Sequence, residues 1–585
     1  MNDDRPGLGS DVVAIGVVLA TGVGMVVAAG GFLAGVTRGR LVRATLPEVL
    51  HVVFALPRHL DDPRAAWPAS ARSDLPGPVV YWGATVGVGV MALVIVVVAM
   101  RRWTRRVGPL RRRAMGVDPR ARLARRRDLA PIAVRRPERG RFVLGRVRRR
   151  LVATEDRVRA ARGGRRRGDR GAVCVIGPSR SGKTASLISG ILQWPGPALL
   201  SSVKTDLLGA TVAWRRELGD VTIFDPMRAS GTTPCGGWSP VGSADTPTSA
   251  QRVSRALADA APRSGAEHLD FFVNLAEALL WPMLFLAHHS GASMADVVRW
   301  TLTQDQPGSV RPSEVVDAEA RCLATIAEPL VSDVHHARQA LNATWSLDER
   351  MRSSVYATAQ TLVRPWSDPL VAQSAQAHTI AFDALVSGSN TLYCCAPLHD
   401  QERLAPVFGG LLGDLLAQAY ARHARGAPFE PLLIVLDEAA NTPTRWLPHV
   451  ASTCAGIGIV LVTVWQSKAQ IDAAYGMLAD SVLTNHLTKI VYSGVSDPTT
   501  GDYISKLLGD DDVRHRTMTR SSAGSDQLSE DTRREALLPA AALRRLHPGR
   551  ALLVHGTLPP IHLHAIPYYR DRRLLARSRT QGVHS

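Results

Sequence analysis

Two stretches near the start of the chain carry no charged residue, 12–36 over 25 positions and 79–100 over 22. Each is long enough to cross a hydrocarbon core of about 30 Å as a helix. A cleaved signal peptide would begin with a basic stretch. Here residues 1–11 carry Asp3, Asp4 and Asp11 against Arg5. The pattern therefore predicts two membrane spans joined by a short loop, 37–78. From residue 171 the texture changes to short apolar runs closed by Gly, Pro or Asp, at 172–176, 198–202, 221–224, 391–396, 432–436, 458–464 and 489–492. Being rich in Val, Ile and Leu rather than alternating, they predict strands of a parallel sheet covered on both faces. Between about 245 and 372 this signal disappears. Residues 271–288, 294–302 and, in pieces, 319–361 have helical spacing instead, which predicts an all-α insertion in an α/β domain. Residues 517–534 are polar and read as a mobile loop before a final helix and strand. No internal repeat is visible.

The expected organisation is a membrane anchor (1–100), a basic juxtamembrane segment (101–170), a first part of an α/β domain (171–244), the all-α insertion (245–372), a second α/β part (373–570) and a basic tail (571–585). At 585 residues, 45% of them hydrophobic, the chain is long enough for several domains and is not a mainly disordered one.

Charge sharpens this picture. The formal net charge is +19, yet residues 101–170 hold 27 Arg against six acids, which leaves the other 515 residues at −2. Because Arg101, Arg102, Arg105 and Arg106 follow the second span directly, the positive-inside rule puts that side in the cytoplasm. Arg38, Arg40 and Arg43 in the loop argue mildly the other way and are outweighed. The basic segment has two readings, a linker held on anionic lipid headgroups or a contact surface for nucleic-acid phosphate. The six cysteines show no metal-ligand spacing and none lies in the N-terminal region, the usage of a reduced compartment.

The chemistry sits at two places. Gly177-Pro178-Ser179-Arg180-Ser181-Gly182-Lys183-Thr184 matches the Walker A pattern at every fixed position, with a strand before it and a helix after it. Gly177 and Gly182 let backbone N–H groups face phosphate oxygens, and the helix N-terminus adds its dipole. Lys183 can reach the β- and γ-phosphates of ATP, and Thr184 can ligate Mg²⁺. About 250 residues later, the run 432–436 closes on Asp437-Glu438. As a Walker B strand it would hold Mg²⁺ through Asp437 and polarise the attacking water through Glu438. Gln466, at the end of the 458–464 run, is placed to sense the γ-phosphate.

Together with Gln193-Trp194-Pro195-Gly196, Ser202-Val203-Lys204-Thr205-Asp206, Phe224-Asp225-Pro226, Trp238-Ser239-Pro240, the 348–354 run DERMRSS, LDEAANTP at 436–443, WQS at 465–467 and SGVSD at 493–497, these motifs resemble the coupling proteins of type IV secretion systems, the TraG-type conjugative DNA-transfer ATPases. The resemblance covers nearly the whole chain, in the family's order. It implies a RecA-like P-loop motor with a mostly parallel sheet, split by an all-α domain that recognises substrate. It further implies two N-terminal transmembrane helices in the plasma (inner) membrane, with the ATPase domain in the cytoplasm. Such proteins are thought to work as hexamers that bring DNA, single-stranded and bound to a relaxase, to the secretion channel; ATP and Mg²⁺ would be the cofactors.

The sequence departs from the family at one point. Before the sensor strand the family carries an arginine, but residues 451–458 read ASTCAGIG. Arg403, Arg350, Arg352 and Arg445 are the candidates to replace it across a subunit boundary. That gap keeps open a docking receptor that binds nucleotide without pumping. An ATPase that exports protein effectors is a second alternative, and an FtsK-type chromosome translocase is less suited to two spans and a short C-terminus. His288, His289, His335 and His336 read as exposed helix residues.

Overall fold

The computed structural model describes residues 29–37, 39, 42, 44–107, 121–154, 157–159, 165–167, 171–202, 205–232, 235–260, 269–305, 332–397, 400–441, 444–520 and 526–579. The chain forms two compact units, Met1–Pro119 and Arg120–Ser585.

In the first unit, helix Pro78–Val107 contains the second expected span. Its apolar part, Pro78–Ala99, is only 6% buried within the protein. Two other helices are long and apolar enough to cross a membrane, Asp270–Ser290 and Gln401–Ala424, but these are 61% and 72% buried. Their apolar surface is spent on the protein core, so length and composition alone do not make them spans. Of the first expected span, residues 29–36 are helical and the remainder lies outside the described residues. The loop 37–78 is folded. It holds helix Leu46–Ala55 and packs Val52, Trp67 and Leu75 into a small core, with Trp67 Nε1 donating to Tyr81 Oη at 3.0 Å.

The second unit is built on one twelve-stranded sheet. Its strands are β1 (Ala133–Val134), β2 (Val143–Val147), β3 (Arg150–Ala153), β6 (Val173–Ile176), β7 (Ala198–Ser202), β8 (Val221–Phe224), β9 (Thr391–Cys395), β10 (Leu432–Leu436), β11 (Ile459–Trp465), β12 (Thr488–Tyr492), β15 (Arg550–His555) and β16 (Ile561–His564). The two short strands β4 (Arg157–Arg159) and β5 (Arg165–Arg167) pair with each other instead. The order is β1-β3-β2-β16-β15-β12-β6-β11-β10-β7-β9-β8. From β12 to β8 all neighbours are parallel; from β1 to β12 all are antiparallel. The seven expected strands are the seven parallel ones. Every residue of β6, β9, β10, β11 and β12 is buried, the physical reason their sequences run continuously apolar.

Two expectations need correction. The described residues of 517–534 are not a loop: β13 (Asp510–Arg520) and β14 (Asp526–Ala536), eleven residues each, pair antiparallel outside the main sheet, and residues 521–525 lie outside the described part. Backbone pairing builds this ladder, and its polar sequence has no alternation to betray it. The basic segment 101–170 is also more than a linker, since β1, β2 and β3 enter the sheet from within it. Residues 108–120 and most of 160–170 lie outside the described residues.

Between β8 and β9 the described residues hold helices and no strand, including Pro247–Ala260, Leu269–Ser290, Met294–Leu302, Ser332–Trp345 and Glu349–Val363. They share one hydrophobic core with the sheet and with helix Gln401–Ala424, through residues such as Trp238, Leu257, Leu284, Trp300, Tyr356 and Leu411. Residues 306–331 are outside the described part. The four histidines read as exposed lie on these helices; His288 is half-buried and meets the Val241 carbonyl at 2.9 Å, while the other three are exposed.

Candidate nucleotide-binding site

In a parallel sheet, ligands gather where strands end and helices begin. β6 runs into the loop 177–182 and then into helix Lys183–Leu192. A side chain at Gly177 would bring Cβ within 2.8 Å of Tyr492 Cβ and 2.9 Å of Ser181 Oγ. Gly182 stands at φ 95° as the residue before the helix. Both positions therefore require glycine. The Gly177 N–H donates to the Trp465 carbonyl at 3.1 Å, which ties the loop's entry to the end of β11. Lys183 Nζ donates to the carbonyls of Gly177 and Pro178, the latter at 2.8 Å. The Pro178 ring lies against Gly494 of the SGVSD run.

Beside this loop, β11 separates β6 from β10, and β10 ends on Asp437. That carboxylate is buried and accepts from the Ser202 hydroxyl at 3.2 Å, from the end of β7. Its own N–H is held by the Ser201 carbonyl at 2.9 Å. Glu438 follows with φ at 58°, a left-handed conformation rare for a side-chain-bearing residue. Its Oε2 accepts from Asn441 Nδ2 at 3.1 Å.

One cavity of about 350 Å³ collects these parts: Ser179, Arg180, Ser181, Gly182, Lys183, Thr184, Asp437, Glu438 and Gln466 all line it, with Asn441 and Gln470. Of the residues expected at the site, Gly177 and Pro178 stand behind the wall and shape the loop. Sequence reasoning missed Ser202, Asn441 and Gln470 as site residues. Ser202 and Asn441 lie inside motifs already singled out, but only the fold shows what their side chains touch. The Gln470 side chain accepts from the Gln466 N–H at 2.9 Å.

The donor set fits a nucleotide and its cation. Thr184 and Asp437 bring hard oxygen ligands to the same cavity, the chemistry Mg²⁺ selects. Ser181 Oγ is buried in the loop without a protein partner, and the glycine curve leaves a cradle that a Cβ would fill.

Beneath the loop lies a directed chain of buried hydrogen bonds. The Trp465 indole can only donate, and it gives its hydrogen to Thr463 Oγ1 at 2.9 Å. The Thr463 hydroxyl must then donate to His486 Nε2 at 3.0 Å, and His486 Nδ1–H to the Val482 carbonyl at 2.6 Å. Burial pushes the His486 imidazole down to about 4, so it is neutral. Burial likewise lowers the nearby Lys489 ammonium, which donates to the His486 carbonyl at 2.8 Å.

None of the four candidate arginines lines the cavity. Arg403 is paired with Asp368 and Asp400, Arg445 with Asp270. Arg352 donates to the Trp345 and Leu347 carbonyls, and Arg350 is exposed on helix Glu349–Val363.

Residues 141–585 match the sequence profile of the family described as type IV secretory system conjugative DNA transfer. The chain belongs to this family. Among its relatives, the conjugal transfer protein TraG of Agrobacterium fabrum is 29% identical over 229 residues, 37% of this chain and 34% of TraG. VirD4 of Rhizobium radiobacter is 22% identical over 410 residues, 68% of this chain and 57% of VirD4. The chain thus spans between a third and somewhat over half the length of these curated relatives. Of solved structures, the bacterial conjugative coupling protein TrwBΔN70 superposes with a TM-score of 0.51 at 17% identity, covering 68% of this chain and 85% of TrwB. A form of the plasmid coupling protein TrwB in complex with ADP and Mg²⁺ gives 0.50. At these identities the likeness establishes the shared α/β fold of this conjugative DNA-transfer family.

Proposed function

We propose that this protein is a membrane-anchored, ATP-driven coupling protein that recruits DNA, single-stranded and bound to a relaxase, and pumps it into a type IV conjugation channel. The observation that carries this reading is the convergence of the 179–184 loop, the Asp437-Glu438 pair and Gln466 on one cavity, in a chain of the conjugative DNA-transfer family. Backbone N–H groups of the loop and Lys183 bind and orient the phosphates. Thr184 and Asp437 hold the cation, Glu438 accepts a proton from the attacking water, and Gln466 sits where it can report the γ-phosphate. Bound Mg²⁺–ATP supplies a phosphoryl group whose transfer to water drives the cycle. Its likeness to a TrwB crystallised with ADP and Mg²⁺ supports that assignment.

The poorly buried helical stretch Pro78–Ala99, with a mean hydropathy of 2.3, supports the second of the two spans we propose for the anchor, with the arginines after it on the cytoplasmic side. A homo-hexamer is the assembly we propose, with the arginines that directly follow the span, rather than the strands of 133–153, against anionic lipid. The four arginine candidates remain the ones to test for a role across the subunit boundary.

The test is ATP turnover by the detergent-solubilised chain, with and without single- and double-stranded DNA, beside Lys183→Ala. DNA-stimulated turnover that the substitution abolishes is expected. ATP binding without turnover, whatever DNA is added, would favour a docking receptor. Stimulation only by a protein cargo would favour effector export.

A further inference from the structure

We propose that Asn441 is a positioning residue for hydrolysis, which aims the Glu438 carboxylate into the nucleotide cavity; this rests on the ATPase reading above. Three observations carry it. First, Glu438 stands at φ 58°, a backbone conformation that is unfavourable for a non-glycine residue and persists only where the surroundings impose it. Second, Asn441 imposes it from two sides. Its N–H donates to the Glu438 carbonyl at 3.0 Å and closes the turn Ala439–Asn441, while its side-chain Nδ2 donates to Glu438 Oε2 at 3.1 Å. Third, both side chains line the same cavity as Lys183, Thr184 and Gln466, so the turn delivers the carboxylate to the phosphate end.

The physical need is plain. Glu438 is the second residue beyond the buried strand β10, and its side chain has three rotatable bonds. A base that must meet one water in line with a phosphorus loses rate steeply when it is free to turn. A donor on one carboxylate oxygen restricts that rotation and leaves the group a proton acceptor. Asn441 also cannot compete for the water's proton, because an amide is not a base at neutral pH. The neighbouring acid is steadied separately by Ser202, from another strand, so the two carboxylates of the pair are oriented by different elements.

The experiment is a double-substitution cycle on the full chain in detergent: the unaltered protein, Asn441→Ala, Glu438→Gln and the double variant, with Asn441→Gln as the conservative variant that keeps an amide. ATP turnover is measured over a range of ATP concentrations, labelled ADP gives nucleotide affinity, and thermal melting checks folding. Positioning predicts that Asn441→Ala lowers kcat about tenfold with KM and ADP affinity unchanged. It also predicts no further loss on Glu438→Gln, and partial recovery in Asn441→Gln. Equal losses in both backgrounds, a loss confined to KM, or unchanged kcat would overturn it. Should Asn441→Ala melt early, the cycle is read from Asn441→Gln and the Gln double variant, whose additivity would overturn it equally. Turnover of the unaltered chain no faster than that of Glu438→Gln would remove the ATPase reading, and this assignment with it.

Discussion

The two halves of the sheet follow different rules. The parallel half, β12 through β8, comes from continuous apolar runs, is covered on both faces, and carries the nucleotide cavity at its strand ends. The antiparallel half, β1 through β3 with β2, β16 and β15, comes from short strands at opposite ends of the unit, 133–153 and 550–564. Its exposed positions include Arg148, Arg149, Arg150 and His562. Where a sheet must hold a reactive site rigid, it is buried on both sides. The half that closes the unit is also buried at its strand centres, Val143–Leu144, Leu151–Ala153 and Ala551–Leu553, and is exposed mainly at strand ends and turns. Arg215 and Arg146 show the contrast. Arg215 is fully buried and donates to the carbonyls of Trp194, Gly196 and Ser389 and the hydroxyl of Thr391. Arg146 is 43% exposed and pairs with Asp571 at 2.8 Å.

The largest expected effect lies at the cavity. Glu438→Gln should cut ATP turnover by roughly 10²–10⁴ while binding persists, the range for losing a general base. Lys183→Ala should lose binding as well, read by labelled nucleotide. Substitutions in the antiparallel half with comparable effects on kcat would break the division of labour.

Next comes stability of the parallel half. Arg215→Ala leaves four acceptors without their donor and should cost about 3 kcal/mol, read from the denaturation midpoint.

A third test uses pH. His486 is neutral in the fold and titrates at about 4, whereas in the unfolded chain it titrates near 6.5. The unfolded chain therefore binds the extra proton across that window. The stabilisation is complete above about 6.5 and is lost as pH falls toward 4, by an amount of order 3 kcal/mol. His486→Gln should flatten that part of the stability profile; an unchanged acid slope would separate the hydrogen-bond chain beneath the loop from the stability of this half.

The smallest effect belongs to the other side. Arg146→Ala should cost less than about 1 kcal/mol, because a half-exposed ion pair is screened by solvent. A loss several times larger would mean that the antiparallel half carries more of the unit's stability than its exposure suggests.

Much of this architecture was legible before the structure. The runs at 198–202, 221–224 and 432–436 are strands to the residue, because Pro197, Asp220, Asp225, Pro431 and Asp437 punctuate their ends. The phosphate loop was equally plain, since Gly177, Gly182, Lys183 and Thr184 have few chemical substitutes. The β13–β14 pair was invisible for the opposite reason: its polar residues need no buried face, so no periodicity marks it. β2 and β3 were missed because each is short, and the pairing that brings them into the sheet, Arg146 of β2 with His564 of β16, joins segments several hundred residues apart. Helix Gln401–Ala424 has a membrane-like composition, and only its burial says otherwise.

The sequence by itself determined the local chemistry: which strands are buried, which loop curls around phosphate, which two acids end β10, and where the charge is concentrated. These depend on side-chain type and spacing, which a linear pattern carries in full. The tertiary structure alone decided that residues 133–153 and 550–564 complete one sheet, and that Asp437 and Glu438 meet the phosphate loop across one strand, β11. It also decided that Ser202, 235 residues earlier in the chain, holds the Asp437 carboxylate. Those facts depend on hydrogen bonds and packing between segments distant in the chain, and no local period records them.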